Sequence, residues 1–239
     1  MKIAIQNHST VLTDAEVQAV IGAMQTQVSR DFGPAWSLGA TLCWIASTSP
    51  VPTDHALLGV FDDADQAGAL GYHDLTASDQ PIGKVFARTT QQFGGQWTVT
   101  FSHELLEMIA DPSINICRYV EFARFYARFY AQEVCDAVEA DELGYTIDGV
   151  LVSDFVLPAW FDALNTTGPF SFRQNVRRPF ALAPGGYIGY SDGNGWQQET
   201  ASSSRANVTP KRMHDALARP GSRRERRARS RQRWQRSER

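Results

Sequence analysis

The stretch "FSHELLEMIADP", residues 101–112, carries three groups that can do metal chemistry. On a helix, residues four apart lie one above the other on the same face. His103 and Glu107 would then both reach a single ion. Glu104, rotated about 100° from His103 around the axis, would be near enough to approach a water on that ion. This chemistry needs a neutral imidazole, a second donor one turn on, and a carboxylate placed to take a proton. The bare His-Glu-x-x-Glu pattern is a weak signal, so its weight depends on the elements around it.

The motif needs a helix, and Leu105, Leu106, Met108 and Ile109 supply an apolar surface for one. "WTVTF" just before it favours strand by propensity, whereas "SHELLEMIA" favours helix and Pro112 ends it. The reading places this helix at about 98–110.

Upstream, Val17, Val20, Ile21, Met24 and Val28 recur at three and four residues and predict a helix over 14–31. Thr13 is its N-cap, Asp14 and Glu16 lie in its first turn, and Gly33 and Pro34 are read as its stop. Strands follow at "ATLCWIA", "HALLGVF", "ALGYHDL" and "GKVFAR", with "TASDQP" as a loop. His73, in the third strand, reads as an exposed edge-strand residue rather than a ligand. His8, His55 and His214 fall in turn-like or linker sequence and receive no role.

Residues 119–132, "YVEFARFYARFYAQ", step by four and read as an amphipathic packing helix. Arg124 and Arg128 would share one face, with Phe122, Phe125, Tyr126 and Phe129 on another. After residue 133 the chain turns loop- and strand-rich, with a hairpin expected at Asp148-Gly149.

This order of elements, with the motif helix after a sheet, resembles the zincin metallopeptidases over about residues 1–140. The resemblance implies a zincin-like α+β fold: an N-terminal helix, a mixed twisted sheet whose edge strand borders the cleft, then the motif helix. An irregular β-rich part and a disordered basic tail would follow. It also implies zinc, a peptide or protein substrate, and Glu104 as general base. His103 and Glu104 match the family's motif, but Glu107 stands where the family has its second His.

That exchange has a physical consequence. One imidazole and two carboxylates would cancel the +2 charge of the ion, making it a weaker Lewis acid that lowers the pKa of its water less. The oxygen-rich set also shifts selectivity toward manganese, iron or calcium.

In the gluzincin branch a Glu on a following helix completes the metal site, with an Asp shortly after it in support. "AQEVCDAVEADE", residues 131–142, offers Glu133, Asp136 and Glu139. Glu133 best matches that Glu, with Asp136 as the partner of His103 or as the direct ligand instead. Asp111 reads as helix punctuation. Zincins often place a Tyr against the oxyanion, and "APGGYIGY" offers Tyr187 or Tyr190, with Tyr187 as the candidate. Gly185-Gly186 reads as a tight turn or bulge.

The whole chain bounds these readings. Its 239 residues suit one large domain, or one domain with an appendage. Three cysteines at wide spacing, Cys43, Cys117 and Cys135, fit reduced thiols rather than a disulfide framework or zinc ribbon. No apolar run is long enough for a bilayer and no signal peptide is evident, so a soluble cytoplasmic protein is expected.

The net charge of -3 hides an asymmetry. Residues 219–239 carry ten Arg and two Glu, +8, against -11 for the rest. The division read from this is a domain over 1–196, a polar linker over 197–218, and a basic tail over 219–239. Arg223, Arg224, Arg226, Arg227, Arg229, Arg231 and Arg233 could neutralise phosphates of a nucleic acid or another polyanion. A non-catalytic virion or assembly protein on the same scaffold is the competing function.

Overall fold

The computed structural model describes residues 1–66, 68–123 and 126–201. The arginine tail assigned to nucleic acid lies outside them, as do Arg124, Phe125 and His214. The described chain is α+β. A mixed five-stranded sheet runs in the order β2-β1-β3-β5-β4. Its strands are β1 (Lys2–Asn7), β2 (Thr41–Trp44), β3 (Ala56–Phe61), β4 (Gly71–Leu75) and β5 (Pro81–Phe86). The pairs β1–β2, β1–β3 and β3–β5 are parallel, and β4 lies antiparallel to β5 at the edge.

The sequence reading assigned no element to "KIAIQN", yet it forms the interior strand β1. Ile3, Ala4 and Ile5 are all fully buried. A strand covered on both faces shows a short apolar run instead of alternation, which hides its period.

The N-terminal helix α1 (Asp14–Thr26) opens on Thr13, whose hydroxyl accepts from Glu16 N while the Glu16 carboxylate accepts from Thr13 N. It does not stop at Gly33. A π-helical turn (Gln27–Phe32) leads into α2 (Gly33–Trp36), and the run ends at Ser37 with φ 54°. Pro34 sits in the first turn of α2, where a missing N–H costs little. A Cβ at Gly33 would lie 2.9 Å from the Val28 carbonyl oxygen, so this glycine permits close packing rather than breaking the helix.

A short helix, α3 (Ala87–Gln92), precedes the motif helix α4 (Trp97–Ala110). Every residue of α4 from Val99 onward is buried. It packs against β4 and β5 on one side and against the small hairpin of β8 (Tyr145–Ile147) and β9 (Val150–Val152) on another. Asp141 accepts from Gln96 N at its start, and Gln132 Nε2 donates to the Ala110 carbonyl at its end. The β8–β9 turn is Asp148-Gly149, as expected, both with positive φ.

Residues 119–132 are not a helix. They form antiparallel strands β6 (Cys117–Ala123) and β7 (Tyr126–Ala131), joined by β10 (Tyr187–Ser191) and β11 (Trp196–Thr200) in the order β11-β10-β7-β6. A four-residue repeat is about one helical turn but also two full pleats of a strand, so the pattern satisfied both periods. Cross-strand contacts replace the supposed helical faces: Tyr119 pairs with Phe129, ring centroids 5.3 Å apart. Arg128 stacks 4.0 Å over Tyr190. Residues 197–200, placed in the linker by the sequence reading, complete β11.

Outside the sheet, Asp62 ties the loop after β3 to the loop after β1. Its carboxylate accepts from the hydroxyls of Ser9 and Thr10 and the amide of Thr10, and it pairs with Arg88. Burial raises its pKa, but these donors outweigh that and hold it well below the usual carboxylate range. A depressed folded-state pKa contributes stability that is present above about pH 4 and is lost as pH falls through the folded value. Asp62→Asn is therefore expected to lower the thermal midpoint at pH 7 by roughly 4–8 °C. The gap from wild type should close in acid, as thermal scans across pH would show.

No described helix is long and apolar enough to cross a membrane.

Candidate metal centre

Helix α4 delivers the motif as its spacing requires. Nε2 of His103 lies 3.3 Å from Oε1 of Glu107, one turn on. The chain then leaves β7 and crosses the C-terminal half of α4, placing residues 132–139 over it. Cys135 N donates to Oε1 of Glu107 at 3.3 Å and orients that carboxylate. Asp136 opens a short 3-10 turn (Asp136–Val138) and puts Oδ1 at 3.2 Å from the same His103 Nε2. Two donors on one tetrahedral ion at about 2.1 Å stand about 3.4 Å apart. The trio His103, Glu107 and Asp136, all buried, can hold a metal ion.

Asp136 thus faces the ring nitrogen that Glu107 faces, the position of a ligand rather than of a support on the far nitrogen. Nδ1 of His103 is buried without a hydrogen-bond partner among the described residues. Burial alone would push this imidazole's pKa down. Glu107 first, then Asp136 and Glu104, drive it well above the ordinary histidine value.

Glu133 is close by, but it does not join His103. It faces His73, with Oε2 at 3.7 Å from Nε2. His73 is not an exposed edge residue. It is fully buried, and its Nδ1 is 3.6 Å from Oε2 of both Glu104 and Glu107. The strand is indeed an edge, but the face that carries His73 is covered by α4. His73, Glu107 and Glu133 form a second trio of ligand atoms within 4.8 Å of one another.

The signal that could have found His73 was its neighbour Gly71, two residues back on the same strand face. A Cβ at Gly71 would lie 2.8 Å from Cγ of Glu104 and from Cγ2 of Thr100, and 2.9 Å from the Lys84 carbonyl. A glycine there lets the motif helix approach β4, and the same face then carries His73 into the acids. Gly71→Ala is expected to cost about 1–3 kcal/mol by overpacking and to displace Glu104. Urea unfolding would measure the first effect.

Glu104 opens onto a narrow cleft lined by Leu70, Gly71, Thr100, His103, Glu139 and Tyr187. Tyr187, at the start of β10, therefore stands beside the motif. Tyr190 does not. It packs on Tyr130 and donates to Gln197. Glu139, offered by the sequence without a role, is a wall of the cleft. The expected turn at Gly185-Gly186 is present, with Gly186 N donating to the Ala183 carbonyl. A Cβ at Gly186 would overlap the carbonyl of Ala137, next to Asp136.

Asp111 does punctuate the helix, its carboxylate accepting from Asn115 and Ile116 amides. His8 stacks on Phe61, and His55 pairs with Asp54 at the surface. Cys43, Cys117 and Cys135 are free thiols. Burial, together with Glu107 and Asp136, pushes the Cys135 thiol well above its usual pKa.

Comparison with protein-family models, with curated proteins and with solved structures finds no match to this chain.

Proposed function

We propose that the chain is a metal-dependent hydrolase acting on peptide bonds, with zinc as the leading ion and manganese or iron as close alternatives. The observation that carries this reading is the buried His103–Glu107–Asp136 trio beside a cleft walled by Glu104 and Tyr187. These residues fit a divalent ion in donor chemistry and in spacing. The choice of a peptide substrate rests on the resemblance to zincins.

His103, Glu107 and Asp136 would hold the ion. When bound, it supplies Lewis acidity and lowers the pKa of a water in the cleft. Glu104 would act as general base and then acid, taking a proton from the attacking water and passing it to the leaving amine. Nδ1 of His73 lies 3.6 Å from Oε2 of Glu104, beside the same carboxylate. Tyr187, which lines the same cleft, would donate a hydrogen bond to the oxyanion. Burial of the trio excludes bulk water, so these charges act in a medium of low dielectric.

The test is hydrolysis of a fluorogenic peptide library by the full chain. Activity should vanish with a chelator and return with zinc or manganese. Hydrolysis indifferent to chelation, or none by the ion-loaded protein, would overturn the reading.

A further inference from the structure

The aromatic hairpin of β6 and β7 supplies nothing to the cleft, yet it shows the most aromatic surface of the chain. Among the described residues five large aromatic side chains are exposed, and four of them lie on this hairpin: Tyr119, Phe122, Tyr126 and Phe129. Tyr119 and Phe129, paired across it, are 58% and 43% exposed. An apolar patch of this kind marks a contact surface, and such surfaces are enriched in Tyr and Phe.

The backbone says what kind of contact. β6 is an edge of its sheet and, at seven residues, the longest described strand. Edge strands are commonly kept short or guarded by Lys or Pro, and "CRYVEFA" has neither. The opposite edge of the same sheet, β11, is the shorter and more polar "WQQET". In an antiparallel ladder alternate residues bond to the neighbouring strand. Gln132 N donates to the Ile116 carbonyl, which fixes the phase: Arg118 and Val120 bond to β7. The N–H and C=O of Tyr119 and Glu121 therefore point outward from the open edge.

We propose that β6 pairs with the same strand of a second copy of this chain, antiparallel about a two-fold axis at Val120. Two four-stranded sheets become one. Tyr119 then lies opposite the partner's Glu121 at both ends of the contact, and each of these pairs exchanges two main-chain hydrogen bonds. The side chains match as well, since each Glu121 carboxylate accepts from the hydroxyl of the partner's Tyr119. Charge selects this register. An axis at Glu121 would set that carboxylate against its own copy, which is destabilising. An axis at Tyr119 would give the carboxylate no phenol. A two-fold contact closes after two copies, so the joined sheet ends at its polar β11 edges.

The test is sedimentation velocity of the nuclease-treated full chain over a range of concentrations. Wild type should be a dimer. Tyr119→Glu sets like charges opposite each other twice and should weaken the dimer by at least about 100-fold. Tyr119→Lys, equally polar, sets an ammonium opposite the partner's Glu121 and should stay dimeric. Tyr119→Glu combined with Glu121→Lys should restore the dimer that Tyr119→Glu loses. Circular dichroism checks the folding of each variant, and the wild-type result needs none of them. A monomeric wild type would overturn the proposal. So would a dimer indifferent to Tyr119→Glu, whose contact must lie elsewhere. Loss of the dimer in both Tyr119→Glu and Tyr119→Lys would overturn it too, because a general apolar patch or an axis at Tyr119 behaves that way.

Discussion

Glu104→Gln should keep the metal content of wild type and lower peptide hydrolysis by about 10²–10⁴-fold. The amide has nearly the size and shape of the carboxylate, so the packing of α4 against Gly71 survives. What is lost is the ability to take a proton from water and hand it on. The proposed ligands His103, Glu107 and Asp136 are untouched, so ion binding should persist. Loss of the ion would instead mean that Glu104 binds metal. Steady-state kinetics beside elemental analysis separates the two. Unchanged hydrolysis on the peptide library would mean that Glu104 is not the base.

Glu107→Ala should have the largest effect on metal binding, because this carboxylate faces both imidazoles. Even groups that only support a ligand cost 10–100-fold in affinity when replaced, so loss of a direct ligand should exceed about 100-fold. Metal binding is linked to folding: an ion at 100 times its Kd stabilises by about 2.7 kcal/mol. In a chain of this size that corresponds to a rise of roughly 5–10 °C in thermal midpoint. Wild type should show such a gap between metal-loaded and chelated protein, and Glu107→Ala should show almost none. Differential scanning calorimetry measures it directly. An equal gap in the variant would mean that the ion binds elsewhere.

Much of the centre was legible because a helix fixes relative positions over short distances. His103, Glu104 and Glu107 lie within five residues, so their geometry follows from α4 alone. Leu105, Leu106, Met108 and Ile109 made that helix readable despite the β-branched "WTVTF" before it. The strands that carry turn signals at both ends were equally plain. The third ligand was nominated but not placed, since Glu133 and Asp136 sit on an irregular crossing whose path depends on tertiary contacts such as Gln132 to Ala110.

His73 was misread for a different reason. Alternation puts Gly71 and His73 on one face of β4 and Tyr72 on the other, and both Tyr72 and His73 are buried. With both faces covered, period alone could not say which way the histidine points. The hairpin of β6 and β7 was hidden by a repeat that both a helix and a strand accommodate. Both misses concern how elements meet, which local pattern does not encode.

The function proposed above requires that α4 and the segment crossing it hold a metal ion. Elemental analysis of the full-length chain, purified without an affinity tag, tests this most directly when set beside a His103→Ala, Glu107→Ala double variant. A divalent ion should copurify in at least one equivalent with wild type and fall to background in the double variant. Wild type holding no more ion than the double variant, before or after incubation with zinc and manganese, would contradict it.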